Sequence, residues 1–237
     1  LVEGVGEDIW PGAYDPAIPH EIVPVGDAES FAMTRRLARE EGILVGGSSG
    51  MAVVGALRVA KDLPEDAVMV VLLPDGGRGY LSKIFNDSWM RSYGFSEVEE
   101  GETVAHVLAA RAASESGRIP ALVHAHPTDT VLEAIGMMTE YAVSQLVVLS
   151  AEPPVMMGEV VGAVDEKGLL DLLFRGDARA SDAVGDHVGA QLPLIGIHTP
   201  LTEARAALAD ADALLVTEDG KPHTILTRQD LLSYLSR

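Results

Sequence analysis

The sequence predicts an α/β chain in two parts: helices covering a sheet up to about residue 95, then a β-α-β-β-α unit that occurs twice. Three observations predict this. Short apolar runs alternate with amphipathic stretches over residues 1–94; an acidic stretch poor in apolar residues follows; and residues 104–237 repeat their own pattern at a period of roughly sixty to seventy residues.

In the first part, Asp27 is a plausible N-cap for a helix over Ala28–Glu41, and Gly42 stops it. Ile43–Val45 reads as a short buried strand. Gly46–Gly50, of sequence Gly-Gly-Ser-Ser-Gly, then opens an amphipathic helix that runs to about Lys61. Val68–Leu73 is apolar at successive positions, as a strand inside a parallel sheet would be. Pro74–Gly77 ends it, and Ser82–Tyr93 reads as a further helix. The opening Leu1–Gly6 has the character of the middle of a folded domain. Ser96–Thr103 holds four glutamates and reads as a solvated linker.

The repeats match part for part. Glu133–Ala134 and Glu203–Ala204 lie in corresponding helices, and Leu146–Leu149 answers Ala213–Val216 as a buried strand. Gly162–Leu170 answers Thr224–Leu232, a strand entering a helix in each copy. Repeat one covers about 104–176 and repeat two about 177–237; two such units are expected to pack as a pseudo-twofold pair with clefts between them.

Composition narrows the function classes. The 237 residues are 47% hydrophobic, enough for a core, and carry a formal net charge of −19. Such a field repels phosphate backbones and anionic membranes, so no nucleic acid or membrane partner is expected. With no cysteine, disulfides and thiol nucleophiles are excluded. No apolar run approaches the ~20 residues of a membrane span and no signal peptide is visible, which fits a reducing, cytoplasmic compartment. His124 and His126 share a strand face but lack a third ligand in the sequence, so no metal is expected. Met137–Met138 and Met156–Met157 read as core or loop filler.

Two places can carry chemistry. Gly46–Gly50 lies between a strand and a helix, where free amides favour anions and acceptor atoms and serine hydroxyls donate or accept. A tight glycine turn for close strand–helix packing explains the same residues equally well. Thr227 and Asp230 follow an apolar strand; a Thr at a helix start with an Asp three residues on is ordinarily an N-cap arrangement.

Val2–Asp8, Gly46–Gly50, Leu72–Lys83 and Trp89–Met90, in this order and spacing and followed by a duplicated module, resemble cystathionine β-synthase. The resemblance implies the C-terminal part of a fold-type-II pyridoxal-phosphate (PLP) enzyme domain over 1–95, a linker at 96–103, and a tandem CBS-domain pair, or Bateman module, over 104–237. It gives Ser48 the place of the serine that bonds the PLP pyridine nitrogen, and Gly4 a place close to the cofactor ring. Asp75 reads as supporting and Lys83 as an ion-pair residue. No lysine here stands in the family's Ser-x-Lys setting, so the Schiff-base lysine is expected upstream of Leu1.

The same resemblance makes Thr227 and Asp230 ribose ligands of an adenosyl compound, with Val143, Ser144, Gln145 and Leu146 contacting adenine. Copy one has Asp165 and Gly168 at the corresponding positions and lacks the second carboxylate, so one working site per module is expected. Residues 101–237 hold 19 acidic and 9 basic side chains, a net of −10, which suits the cationic S-adenosylmethionine. Arg228 and Lys221 argue instead for an AMP-type nucleotide. The implied reaction joins serine and homocysteine to give cystathionine in a homodimer or homotetramer. Two other readings stay open: a non-enzymatic adenosyl-ligand sensor with a remnant PLP fold, and a cysteine synthase using sulfide.

Overall fold

The structure, a computed structural model, describes residues 1–6, 10–95, 101–114 and 120–236. It divides into two compact units, Leu1–Met90 and Arg91–Arg237. Of the expected linker, residues 96–100 lie outside the described residues.

The first unit is built on two packed helices, α1 (Asp27–Glu40) and α2 (Gly47–Ala60). Helix α1 begins one residue later than its cap: Gly26 is the N-cap, and its amide donates to Glu29 Oε1 at 2.9 Å. That bond, then Arg58, holds the Glu29 carboxyl below its ordinary pKa. Gly42, at φ +70°, follows the helix. Phe31 is fully buried and meets Trp89 edge-on at 5.8 Å.

The sheet expected in this part is not formed among the described residues. Val45 alone pairs, bridging Gly76. The run Val68–Leu73 is without strand structure, and Val68, Val70 and Leu72 are 91%, 90% and 80% exposed. Its apolarity on both faces belongs to a strand flanked by neighbours and covered by helices. Without a ladder partner in this unit the run has nothing to bury its faces against. The helix expected over Ser82–Tyr93 is also shorter. A single 3-10 turn covers Gly77–Tyr80, and α3 spans Asp87–Ser92, where Asn86 Oδ1 accepts from the amides of Ser88 and Trp89 at 2.9 and 3.3 Å.

The second unit contains the duplication. Copy one is β1 (His124–Ala125), α5 (Val131–Tyr141), β2 (Gln145–Leu149), β3 (Val160–Asp165) and α6 (Glu166–Arg175). Copy two is β4 (Leu194–Gly196), α7 (Leu201–Asp210), β5 (Ala213–Glu218), β6 (Lys221–Thr227) and α8 (Arg228–Leu235). Each copy forms a three-stranded sheet whose central strand pairs parallel with the first strand and antiparallel with the last. Equivalent registers close each hairpin: Gln145 faces Asp165, and Ala213 faces Thr227.

The copies also exchange chain. Helix α4 (Val104–Ser114) precedes copy one, yet Val104, Val107 and Leu108 are buried with Leu208, Leu214, Leu226 and Leu231 of copy two. Reciprocally, Val184 enters the core of copy one. Thr103 bridges Pro200 as Thr130 bridges Ala183, and the amide of Leu201 donates to Glu102 O as that of Val131 donates to Asp182 O. A shared core joins the sheets through Val147, Leu149, Leu215 and Ile225. No described helix is long and apolar enough to cross a membrane.

Candidate functional site

In the first unit the glycine–serine run forms the first turn of α2, packed close enough to explain its glycines. A Cβ at Gly50 would stand 2.2 Å from Ser30 O and from Thr34 Oγ1; at Gly47, 2.9 Å from Phe31; at Gly46, 2.3 Å from Asp75 Oδ1. Thr34 Oγ1 donates to Ser30 O at 2.8 Å and lies 3.3 Å from Gly46 O, tying the loop to α1. The Gly46 amide donates to Asp75 O at 3.3 Å. Close packing is therefore real here, and it also fixes the mouth of α2 in place.

Polar atoms gather at that mouth. Tyr80 OH donates to Asp75 Oδ2 at 2.7 Å, and this bond to a carboxylate pushes the tyrosine pKa up to about 12. Asp75 Oδ1 and Ser49 Oγ are buried with no hydrogen-bond partner. Buried polar groups are normally satisfied, so two orphans beside a helix N-terminus fit a site that receives a polar group. Ser48 is half-buried in the same turn. The residues present thus fit PLP: Ser48 in the first turn of the helix, with unsatisfied acceptor and donor capacity beside it. Gly4 lies near the start of the same unit. A Cβ there would meet nothing of this chain within 4 Å, and its φ of +75° gives the glycine a backbone reason. Lys83 pairs with Glu3 at 2.5 Å.

In the second unit Thr227 and Asp230 come together at the β6–α8 junction. Asp230 Oδ2 accepts from the Thr227 amide at 2.7 Å and from Thr227 Oγ1 at 2.8 Å. Its other oxygen, Oδ1, accepts from Arg111 at 3.2 Å. Arg111, on α4, also donates to Ile225 O at 3.0 Å and to Thr224 Oγ1 at 2.7 Å. The cation at this junction is therefore Arg111, which lies far away in sequence. The two basic residues expected there are elsewhere. The Arg228 side chain is spent on Leu208 O, Ala211 O and Asp212 at the C-terminal end of α7, and Lys221 begins β6, roughly 20 Å along the strand from Thr227.

The copy-one residues are spread over a strand entrance. Val143 packs half-buried on the copy-one core, Ser144 is exposed, Gln145 is half-buried, and Leu146 is fully buried among the copy-one helices. Among the described residues no hydrogen bond links this set to Thr227 or Asp230. Asp165 caps α6 through the Gly168 amide at 2.8 Å, the copy-one counterpart of the Thr227–Asp230 turn.

A cleft of about 570 Å³ opens elsewhere, at the hairpin end of β6, among Pro120, His124, Pro153, Lys221, Pro222 and His223. Of the residues weighed for the effector only Lys221 lines it; Thr227, Asp230, Val143, Ser144, Gln145 and Leu146 do not. Beside it the structure brings Glu152 to His124 and His126, the third ligand that the sequence did not offer. The bond to Leu149 O, with Glu152 adding, raises the His126 pKa above its ordinary value.

Comparison with known proteins places both units. Residues 1–75 match the family of pyridoxal-phosphate dependent enzymes. The cystathionine beta-synthase of Dictyostelium discoideum is 31% identical over 100% of this chain and 48% of its own length. That of Mus musculus is 34% identical over 77% of this chain and 31% of its own. The chain thus spans about half the length, or less, of these relatives. A solved CBS-domain containing protein from Agrobacterium tumefaciens has a TM-score of 0.46 at 18% identity, over 59% of this chain and 99% of that one. With a glycine–serine helix mouth in one unit, a doubled β-α-β-β-α pair in the other, and a match running through both, the chain is similar along its whole length to cystathionine β-synthases, its residues 1–75 carrying part of a pyridoxal-phosphate enzyme fold.

Proposed function

We propose that this chain is part of a PLP-dependent cystathionine β-synthase that replaces the β-hydroxyl of serine with the sulfur of homocysteine, under control of S-adenosylmethionine bound to the CBS-domain pair. The observation that carries this reading is a match that runs through both units, at 31% identity over the whole chain. A cysteine synthase or a free-standing sensor would account for one unit each.

PLP, when bound, supplies the electron sink for loss of the serine hydroxyl. The residues of this chain bind and orient it. The Ser48 hydroxyl would meet the pyridine nitrogen as a neutral partner, leaving the ring less electron-poor than an aspartate would and so favouring β-elimination over deeper carbanion chemistry. Tyr80 holds Asp75 against Gly46, so the loop that carries Ser48 keeps its shape. The lysine that binds the cofactor covalently is assigned to the part of the relatives that this chain does not span.

For the effector, Asp230 is the ribose ligand in this reading and Thr227 its companion, with Val143, Ser144, Gln145 and Leu146 on the adenine side. Arg111 bears directly on the choice of ligand. It already holds one Asp230 oxygen, so a ribose must displace or share it. The net charge of −10 over residues 101–237 favours a sulfonium, whereas Arg111 at the site favours the phosphate of an AMP-type nucleotide, and that is the second reading.

The test is turnover of the whole enzyme with serine and either homocysteine or sulfide. The proposal predicts cystathionine formation that Ser48→Ala lowers at unchanged fold. Faster turnover with sulfide would replace it with cysteine synthesis, and no PLP uptake would leave the sensor.

A further inference from the structure

His124 and His126 project from one strand face on either side of Ala125, which is fully buried in the copy-one core. Their rings meet edge-on, centroids 5.1 Å apart at 84°. The tautomers follow from the partners. His124 Nδ1 lies 3.1 Å from Leu122 O, and His126 Nδ1 lies 2.9 Å from Leu149 O. A carbonyl only accepts, so each Nδ1 carries the hydrogen and the neutral ring has its lone pair on Nε2.

Both Nε2 atoms face the same carboxylate. His126 Nε2 is 3.1 Å from Glu152 Oε1, and His124 Nε2 is 3.5 Å from Glu152 Oε2. A carboxylate also only accepts. The contact is attractive only with positive charge between them, carried by a second proton on a ring or by a metal ion, and a single ion can serve all three groups at once. One donor atom from each residue lies within 4.8 Å of the others. Bonds of about 2.0–2.1 Å to a tetrahedral ion put its ligands roughly 3.3 Å apart, which a small movement of the exposed Glu152 reaches from the 3.1 and 3.5 Å between the two nitrogens and its two oxygens.

We propose that His124, His126 and Glu152 form a binding site for a divalent transition-metal ion, zinc by its donor set. Imidazole nitrogen with one carboxylate suits zinc, copper or nickel over calcium or magnesium. The Nδ1–H bonds to backbone carbonyls orient ligating histidines as such sites require. The histidine side chains are 19% and 26% exposed, while Glu152 is 80% exposed on the loop between β2 and β3. Two held ligands and one loop carboxylate leave the fourth position to water or a ligand entering the adjoining cleft. The site lies in copy one, at the opposite end of the module's hairpins from Thr227 and Asp230, and stands whether or not the proposed catalytic reading does.

The experiment titrates zinc into tag-free, chelator-treated protein by calorimetry, with cobalt(II) as a spectroscopic stand-in. The expected result is one ion per chain, a visible cobalt d–d band, and a thermal midpoint raised by zinc. Glu152→Gln, at an exposed position that keeps the fold, should weaken binding about tenfold or more, and His124→Gln with His126→Gln should abolish it. Absence of zinc uptake at micromolar concentration overturns the proposal. So does uptake that both variants leave unchanged, which would put the ion on other histidines.

Discussion

Gly50 shows how much one methyl group decides. Its place is fixed by Ser30 O and Thr34 Oγ1, each 2.2 Å from where a Cβ would stand. One contact is backbone, so α1 must retreat to admit Gly50→Ala, at about 1–3 kcal/mol of overpacking; the fall in the denaturation midpoint measures it. Tyr80 offers a pH signature at the same mouth. Its pKa of about 12 stands above the ordinary tyrosine value of about 10, so the bond to Asp75 contributes stability that is whole below pH 10 and lost as pH rises through 12. Following tyrosinate absorbance, Tyr80→Phe should remove the latest-titrating step and flatten stability over that window. Arg111 separates the two candidate effectors. Arg111→Gln frees Asp230 Oδ1 and removes a charge, so S-adenosylmethionine should bind several-fold tighter and AMP weaker, read by calorimetry; equal changes for both would remove Arg111 from ligand choice. Arg111 was not legible in the sequence because its partners, Thr224, Ile225 and Asp230, lie more than a hundred residues on. Glu152 was missed for a similar reason: only the fold of the loop brings it back to the β1 histidines.

At the scale of elements, what the sequence revealed followed what is local. The doubled strand–helix pattern, the buried runs at Leu146–Leu149 and Ala213–Val216, and helix starts at Asp165 and Thr227 rest on neighbouring residues, and all form. The exchange of segments between copies does not rest on neighbours. Helix α4 precedes copy one in the chain and yet buries its apolar face in copy two, a partner that periodicity cannot name. Leu108→Ala should therefore cost about 2–5 kcal/mol of the copy-two core. An unchanged denaturant midpoint would show α4 to be an appendage. The runs at Ile43–Val45 and Val68–Leu73 show the converse. Their composition records burial in a sheet, but a strand needs a partner to bond to. Among the described residues of the first unit only Val45 and Gly76 form a β-bridge, and the apolar side chains of 68–72 stand largely in solvent.

For the whole molecule, the proposed function joins a cofactor-binding portion and a ligand-binding pair in one chain. Control by a ligand requires tighter binding to one conformational state than to the other. Asp230, already held by Thr227 and Arg111, is the group whose partners a ribose would change. The most direct measurement is cystathionine turnover by the whole enzyme with and without S-adenosylmethionine, for the native protein and for Asp230→Asn. The account predicts that the effector changes the native kcat and that the ratio of turnover with and without it falls to about one in the variant. A native enzyme indifferent to S-adenosylmethionine, or a variant that responds as strongly as the native one, would contradict it.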